Sequence, residues 1–144
     1  MALAAERNTP SQSTTPTSAR PYKQKASVTI YKGSLVALNG GYAAPGATAT
    51  GRVAIGRAKK TTVTGAGDGS NPTGMDQPYI EVEEGTFKWL NSGTDAVVAA
   101  DVGATVWIED DQTVSHTTTG KSAAGKCIKL DSDGVWVETT VGVP

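Results

Sequence analysis

The sequence predicts an all-β fold: an antiparallel β-sandwich, or a jelly-roll-like or barrel domain, with an extended N-terminal arm. Three observations carry this. Short runs alternate apolar and polar side chains, the period of a half-buried strand. Clusters of Gly, Asn, Asp and Pro separate them as turns. No apolar period of about 3.6 residues is sustained over the length of a helix. Residues 1–24 are expected to form a flexible arm and residues 25–144 one β domain, which suits a chain of 144 residues. Hydrophobic residues make up 38% of it. That is a low share, enough for a modest core, with part of the stability left to assembly.

Residues 1–21 are rich in Ser, Thr, Pro and Ala and hold almost no large apolar side chain. Ordering a backbone costs about 1–2 kcal/mol per residue, which such a segment cannot offset alone. It is expected to be disordered in isolation and able to fold onto a partner. Strand patterning starts at Ala26. In SVTIY, Val28 and Ile30 share one face, and after the Lys32-Gly33 turn SLVAL forms the next strand. Asn39-Gly40-Gly41 ends it, because these residues tolerate positive φ. YAAPGATATG reads as loop, and GRVAIGRAKK as a strand with Val53 and Ile55 inward and a basic end. Residues 63–77 are a long Gly/Asp/Asn/Pro loop, a length that implies function or mobility. PYIEVEE places Ile80 and Val82 inward with Tyr79, Glu81 and Glu83 outward. TFKWL places Phe87 and Trp89 on one side and Lys88 on the other. DAVVAADVG supports either a short helical turn or a strand.

Two hairpins follow. In the first, Val106 and Ile108 point inward and Trp107 outward. A three-residue connection at residues 109–111 pairs Ile108 with Gln112 and Val106 with Val114. In the second, a four-residue loop, Asp131-Ser132-Asp133-Gly134, pairs Leu130 with Val135 and Ile128 with Val137. Lys129, Glu138 and Trp136 take the opposite face, and Gly134 takes the left-handed conformation. Trp107 and Trp136 thus lie on the outer faces of their strands. There they serve as partner anchors, or cover a second sheet or lie under a loop.

The chemistry-bearing residues form no catalytic motif, so an enzyme is not expected. His116 is the only histidine, and no G-x-S-x-G accompanies it. Gly120-Lys121-Ser122 copies the end of a phosphate-binding loop, but Ser115 stands where that loop needs glycine, and strand pattern follows. Asp131-x-Asp133-Gly134 begins like a calcium loop, but Gly142 falls where the bidentate Glu belongs, and a hairpin turn explains it. Glu109, Asp110 and Asp111 form an acidic turn that reads as solvated charge. One His and one Cys within the chain argue against zinc. Cys127 reads as a small buried strand residue and has no partner for a disulfide. No cofactor and no metal is expected.

The net charge is −1 and the sequence pI about 5.8, which gives no global reason to expect nucleic-acid binding. No apolar run is long enough to span a membrane, and the N-terminus lacks the pattern of a signal peptide. The charge is uneven. Residues 1–25 hold Arg7, Arg20, Lys23 and Lys25 against Glu6, which leaves the remainder acidic. A basic arm on an acidic body suits docking on an acidic protein neighbour. The candidate partner contacts are Arg20, Tyr22, Lys23, Lys25, Trp107 and Trp136.

The run GTFKWLNSGTDAVVAADVGATVWIEDDQTVS, followed by SAAGKCIKLDSDGVWVETTV, resembles the small capsid cement or decoration proteins of tailed bacteriophages. The shared pattern is a turn at Val102-Gly103, strands at 106–108 and 110–114 around an acidic turn, a Gly-led strand at 125–130, and a terminal strand at 134–138 opened by Asp-Gly and carrying Trp136. LVALNGGYAAP and GRVAIGRA are similar to the family's opening strands. The resemblance spans roughly residues 26–141 and leaves out the arm. It implies a β-sandwich or jelly-roll-like virion protein on the outer surface of the capsid, made in the bacterial host cytoplasm. Such a protein bridges neighbouring subunits of the major capsid protein against internal DNA pressure, as a homodimer or homotrimer, without nucleic-acid or membrane partners. The alternative is a carbohydrate- or protein-binding β module of a fibre or tail.

Overall fold

Two sheets divide the described chain between them, with a two-stranded ribbon beside the first. The structure, a computed structural model, describes residues 2–11, 19–65 and 79–140. The strands are β1 (Ala19–Lys23), β2 (Thr29–Ile30), β3 (Leu35–Asn39), β4 (Tyr42–Pro45), β5 (Val53–Ala58), β6 (Thr62–Val63), β7 (Tyr79–Glu83), β8 (Gly85–Asn91), β9 (Thr105–Ile108), β10 (Thr113–Ser115), β11 (Ala123–Asp131) and β12 (Gly134–Thr139). The all-β expectation is borne out, and the ambiguous stretch before β9 holds a single 3-10 turn, Ala99–Asp101. From residue 66 on, the expected long loop lies outside the described residues.

The first sheet runs β1-β7-β5-β3-β4, antiparallel throughout. Past β1, Gln24 bridges Ala43 and the Lys25 N–H donates to the Ala43 carbonyl, so the chain curls back onto β4. The β2–β6 ribbon adds Ile30 to the inside of this curl. The second sheet closes as a barrel in the order β10-β8-β12-β11-β9, with one parallel pairing, β10 to β8. Leu35, Ala37 and Ala54 join the barrel core of Phe87, Trp89, Val106, Ile108, Val114, Cys127, Val135 and Val137. Val36 and Ile55 face the other way, onto Ile30, Ile80 and Val82. β3 is therefore covered on both faces, which is why Leu35, Val36 and Ala37 are consecutive apolar residues, each fully buried.

Several local expectations are corrected. YAAP is strand β4 and not loop, because Gly40 and Gly41, both at positive φ, close a two-residue turn that pairs Asn39 with Tyr42. Val53 is exposed and not inward. A register shift pairs Val36 with Gly56 and Ala37 with Ala54, so Ile55 is an extra residue and parity inverts across it. In the first hairpin, Val114 pairs with Ile108 and Ser115 with Trp107, so the connection spans 109–113. The N–H groups of Glu109 and Asp110 both donate to the Thr113 carbonyl, which holds the longer turn. The slip is two residues, so every face is preserved.

In the second hairpin Leu130 does pair with Val135, but Ile128 does not meet Val137. A bulge between Cys127 and Lys129 turns Ile128 outward, 46% exposed, and Cys127 takes the inward place opposite Val137. Gly134 is not left-handed. It pairs with Asp131, and its hydrogen-only side chain makes room, since a β-carbon there would stand 2.8 Å from the Trp89 carbonyl oxygen.

The described residues of the expected arm lie against the body. The Leu3 N–H donates to Asp111 Oδ1 (2.7 Å), the Arg7 N–H to the Lys32 carbonyl (2.8 Å), and the Lys88 N–H to the Pro10 carbonyl (2.9 Å). Residues 19–23 pair with β7. A segment poor in apolar side chains forfeits hydrophobic docking but still carries a donor and an acceptor at nearly every residue, and a sheet edge accepts those. Gly33 permits the crossing: a β-carbon there would lie 1.8 Å from the Arg7 carbonyl oxygen.

Candidate interaction surface

The six residues singled out from the sequence fall into separate places. Tyr22 pairs with Ile80 and packs against the core of the first sheet, so much of its ring covers apolar side chains. Arg20 shares that face at the mouth of the sheet and meets Glu84 Oε1 at 3.2 Å. Lys23 is exposed beside Tyr79 on the opposite face. Lys25 is half-buried and fixed through its backbone, since its carbonyl accepts from the Thr64 hydroxyl. Arg20 and Lys23 are thus both exposed on β1, on opposite faces, with Arg20 paired to Glu84.

Trp107 and Trp136 both point out of the barrel, as parity requires, while their neighbours Val106, Ile108, Val135 and Val137 are fully buried. They do not form one patch. Trp107 faces Ala123 and Trp136 faces Lys129 on the same strand, so the two are about 20 Å apart at roughly 3.3 Å per residue. Trp136 is heavily engaged. Its indole N–H donates to Asp131 Oδ2 (2.8 Å), and Lys88 Nζ sits 5.8 Å from its ring centre. That N–H is the first cause of a lowered Asp131 pKa, and Lys88 likewise lowers that of Asp133.

Around His116 the side chains brace a loop. Its Nδ1 lies 2.8 Å from Asp101 Oδ2. Asp101 also accepts from the Val98 N–H, the main reason its pKa is lowered. Asp95 accepts from the Thr117 N–H and hydroxyl and from Lys121 Nζ. Lys121 Nζ also donates to Ser115 Oγ, which is fully buried. The carboxylates of Asp95 and Asp101 and the Lys121 ammonium are thus spent on their neighbours. Gly120-Lys121-Ser122 sits in a connection, as read from its pattern, whereas the expected four-residue loop at Asp131–Gly134 shrinks to Ser132-Asp133, because Asp131 and Gly134 pair as the last and first residues of β11 and β12. Among the described residues no group of three or more His, Cys, Asp or Glu could hold a metal ion, and no helix is long and apolar enough to cross a membrane.

One site was not anticipated. The N-terminal segment and the first sheet enclose a cleft of about 290 Å³, lined by Arg7, Thr9, Lys32, Arg57, Lys59 and Glu83. Arg57 Nη2 meets Glu83 Oε1 at 3.1 Å, and its guanidinium stacks 4.5 Å from the Phe87 ring centre. Arg7 Nη1 donates to Thr9 Oγ1 (2.6 Å) and to the Lys88 carbonyl (3.2 Å). The only sequence signal was the basic end of GRVAIGRAKK. Nothing local joins it to Arg7.

No protein-family pattern, no curated protein and no solved structure matches this chain.

Proposed function

We propose that this chain is a structural virion protein that binds the outer surface of a tailed-phage head and cements neighbouring subunits of the major capsid protein. The observation that supports this reading is the mode of attachment of its extended segments. Residues 2–11 are held to the body by backbone bonds from Arg7 to Lys32 and from Lys88 to Pro10, by the Leu3 N–H on the Asp111 carboxylate, and by side-chain bonds of Arg7, Thr9 and Arg57. An extended segment held across the body in this way fits the work of clasping neighbours, with Arg20 and Lys23 exposed on β1. A cement protein acts in many copies through modest contacts, so avidity replaces affinity per contact. A standard interface of about 1,600 Å² is within reach of a small body plus an extended segment. Self-association as a dimer or trimer belongs to the same reading.

The alternative, a carbohydrate- or protein-binding β module of a fibre or tail, calls for free aromatic faces. Trp136 has its ring beside Lys88 and its N–H on Asp131, which favours the cement reading. The test is a binding titration of purified protein on mature heads that lack it. Saturable decoration is expected, weakened by deletion of residues 2–11 under conditions where circular dichroism shows the body folded. Absence of binding to heads in every expansion state overturns the proposal.

A further inference from the structure

The cleft under the N-terminal segment holds cations that the described residues do not neutralise. Its one carboxylate among the described residues, Glu83, is engaged by Arg57, whose Nη1 also donates to the Thr9 carbonyl. Arg7 is half-buried and donates only to neutral oxygens, on Thr9 and Lys88. Burial lowers its pKa. Lys32 and Lys59 are exposed at the cleft's lip. Among the described residues no carboxylate lies within ion-pair distance of Arg7, Lys32 or Lys59. Glu6, the nearest acid along the chain, accepts from the Thr61 hydroxyl and does not line the cleft. A partly desolvated cation with no counter-ion is unfavourable, and an incoming oxyanion relieves it.

We propose that this cleft is an oxyanion site that receives the carboxylates of an acidic segment of a partner protein. The Arg7 guanidinium presents a planar fork that matches a carboxylate, and the two lysines supply movable point charges at the rim. These cations gather at one small cleft on a chain of net charge −1, whereas a nucleic-acid partner calls for an extended basic face. The proposal rests on the reading of the chain as a capsid-surface protein, the acidic segment then belonging to the head.

The experiment titrates a fluorescently labelled glutamate-rich peptide into the full chain at low salt and follows anisotropy. Saturable binding is expected, weakening as salt rises. The double variant Lys32→Glu/Lys59→Glu loses at least about tenfold in affinity. Its melting temperature does not fall, because neither side chain has a partner among the described residues. Arg7→Lys, which keeps the charge but not the fork, loses several-fold. Three results overturn the proposal: no saturable binding of the peptide, unchanged affinity in the double variant, or displacement of the peptide by equimolar inorganic phosphate or a single-stranded oligonucleotide. The same double variant on phage heads separates the two readings. Undiminished head binding removes the cleft and leaves the cement function, whereas peptide binding without head binding removes the cement function and leaves the cleft.

Discussion

The Arg7 guanidinium lies 5.6 Å from the centre of the Trp89 ring. Trp89 is fully buried in the barrel core and packs edge-on against Phe87, with ring centres 6.2 Å apart. A residue from the polar N-terminal segment therefore closes one end of the main core. Arg7→Ala removes this contact together with the bonds to Thr9 and Lys88, and is expected to destabilise the fold by about 1–2 kcal/mol. Native-state digestion with a glutamate-specific protease checks the mechanism. Cleavage after Glu6 should accelerate more than cleavage of the body.

Gly33→Ala tests the same attachment from the other side. The added methyl would collide with the Arg7 carbonyl at a position already held at φ 89. The segment must lift, so hydrogen exchange at the Arg7 and Lys88 amides should rise toward the rate of an open chain while β11 and β12 remain protected. Unchanged protection at Arg7 would show that the segment does not cross here.

Cys127 and Ile128 trade the roles that strict alternation assigns them. Cys127→Ser buries a hydroxyl opposite Val137 and should cost about 1–3 kcal/mol, whereas Ile128→Ser should stay within about 0.5 kcal/mol. Burial raises the Cys127 pKa, so a thiol reagent should modify it only on unfolding. Fast labelling of the native protein would place the bulge elsewhere.

How far the sequence could be read depends on what each residue answers to. Phe87 with Trp89 and Ile80 with Val82 follow from period-2 alternation, because each sits in an uninterrupted ladder. Val53 and Ile128 do not, because bulges insert a residue and invert parity, and no local pattern marks them. The first hairpin's faces survived a wrong pairing because its register slipped by two. Arg7 was legible as a charge but not as part of a site. Its neighbours Lys32, Arg57 and Lys59 reach it only through long-range backbone pairing of a segment with no apolar pattern to betray where it docks. The outward aromatics were legible as outward, and their separation followed only from the register along β11.

Gly134 separates two accounts of the terminal turn. If glycine served a left-handed conformation, Gly134→Asn would be tolerated far better than Gly134→Ala. The structure has it there for space beside the Lys88 side chain and the Trp89 carbonyl. Both variants should then destabilise, by about 1–3 kcal/mol for Ala and more for Asn. Denaturant midpoints at constant m-value check the order.

Asp111 makes the pH response specific. It is 3% exposed and accepts from the Leu3 N–H at 2.7 Å. Burial, aided by Asp110, pushes its carboxyl above the ordinary range, against the pull of that N–H. A carboxyl whose folded pKa exceeds its unfolded value stabilises the fold in its protonated form. That contribution is complete below the ordinary pKa of about 3.9 and is lost as the pH rises through the folded value. Asp111→Asn keeps an oxygen for Leu3 and removes the buried charge. The variant should match the wild type at low pH, below about 3.9, and gain stability over it as the pH rises to 7. Calorimetric melts across that interval check it. A wild type more stable than the variant at neutral pH would mean that a cation holds the carboxylate and that burial does not set its pKa.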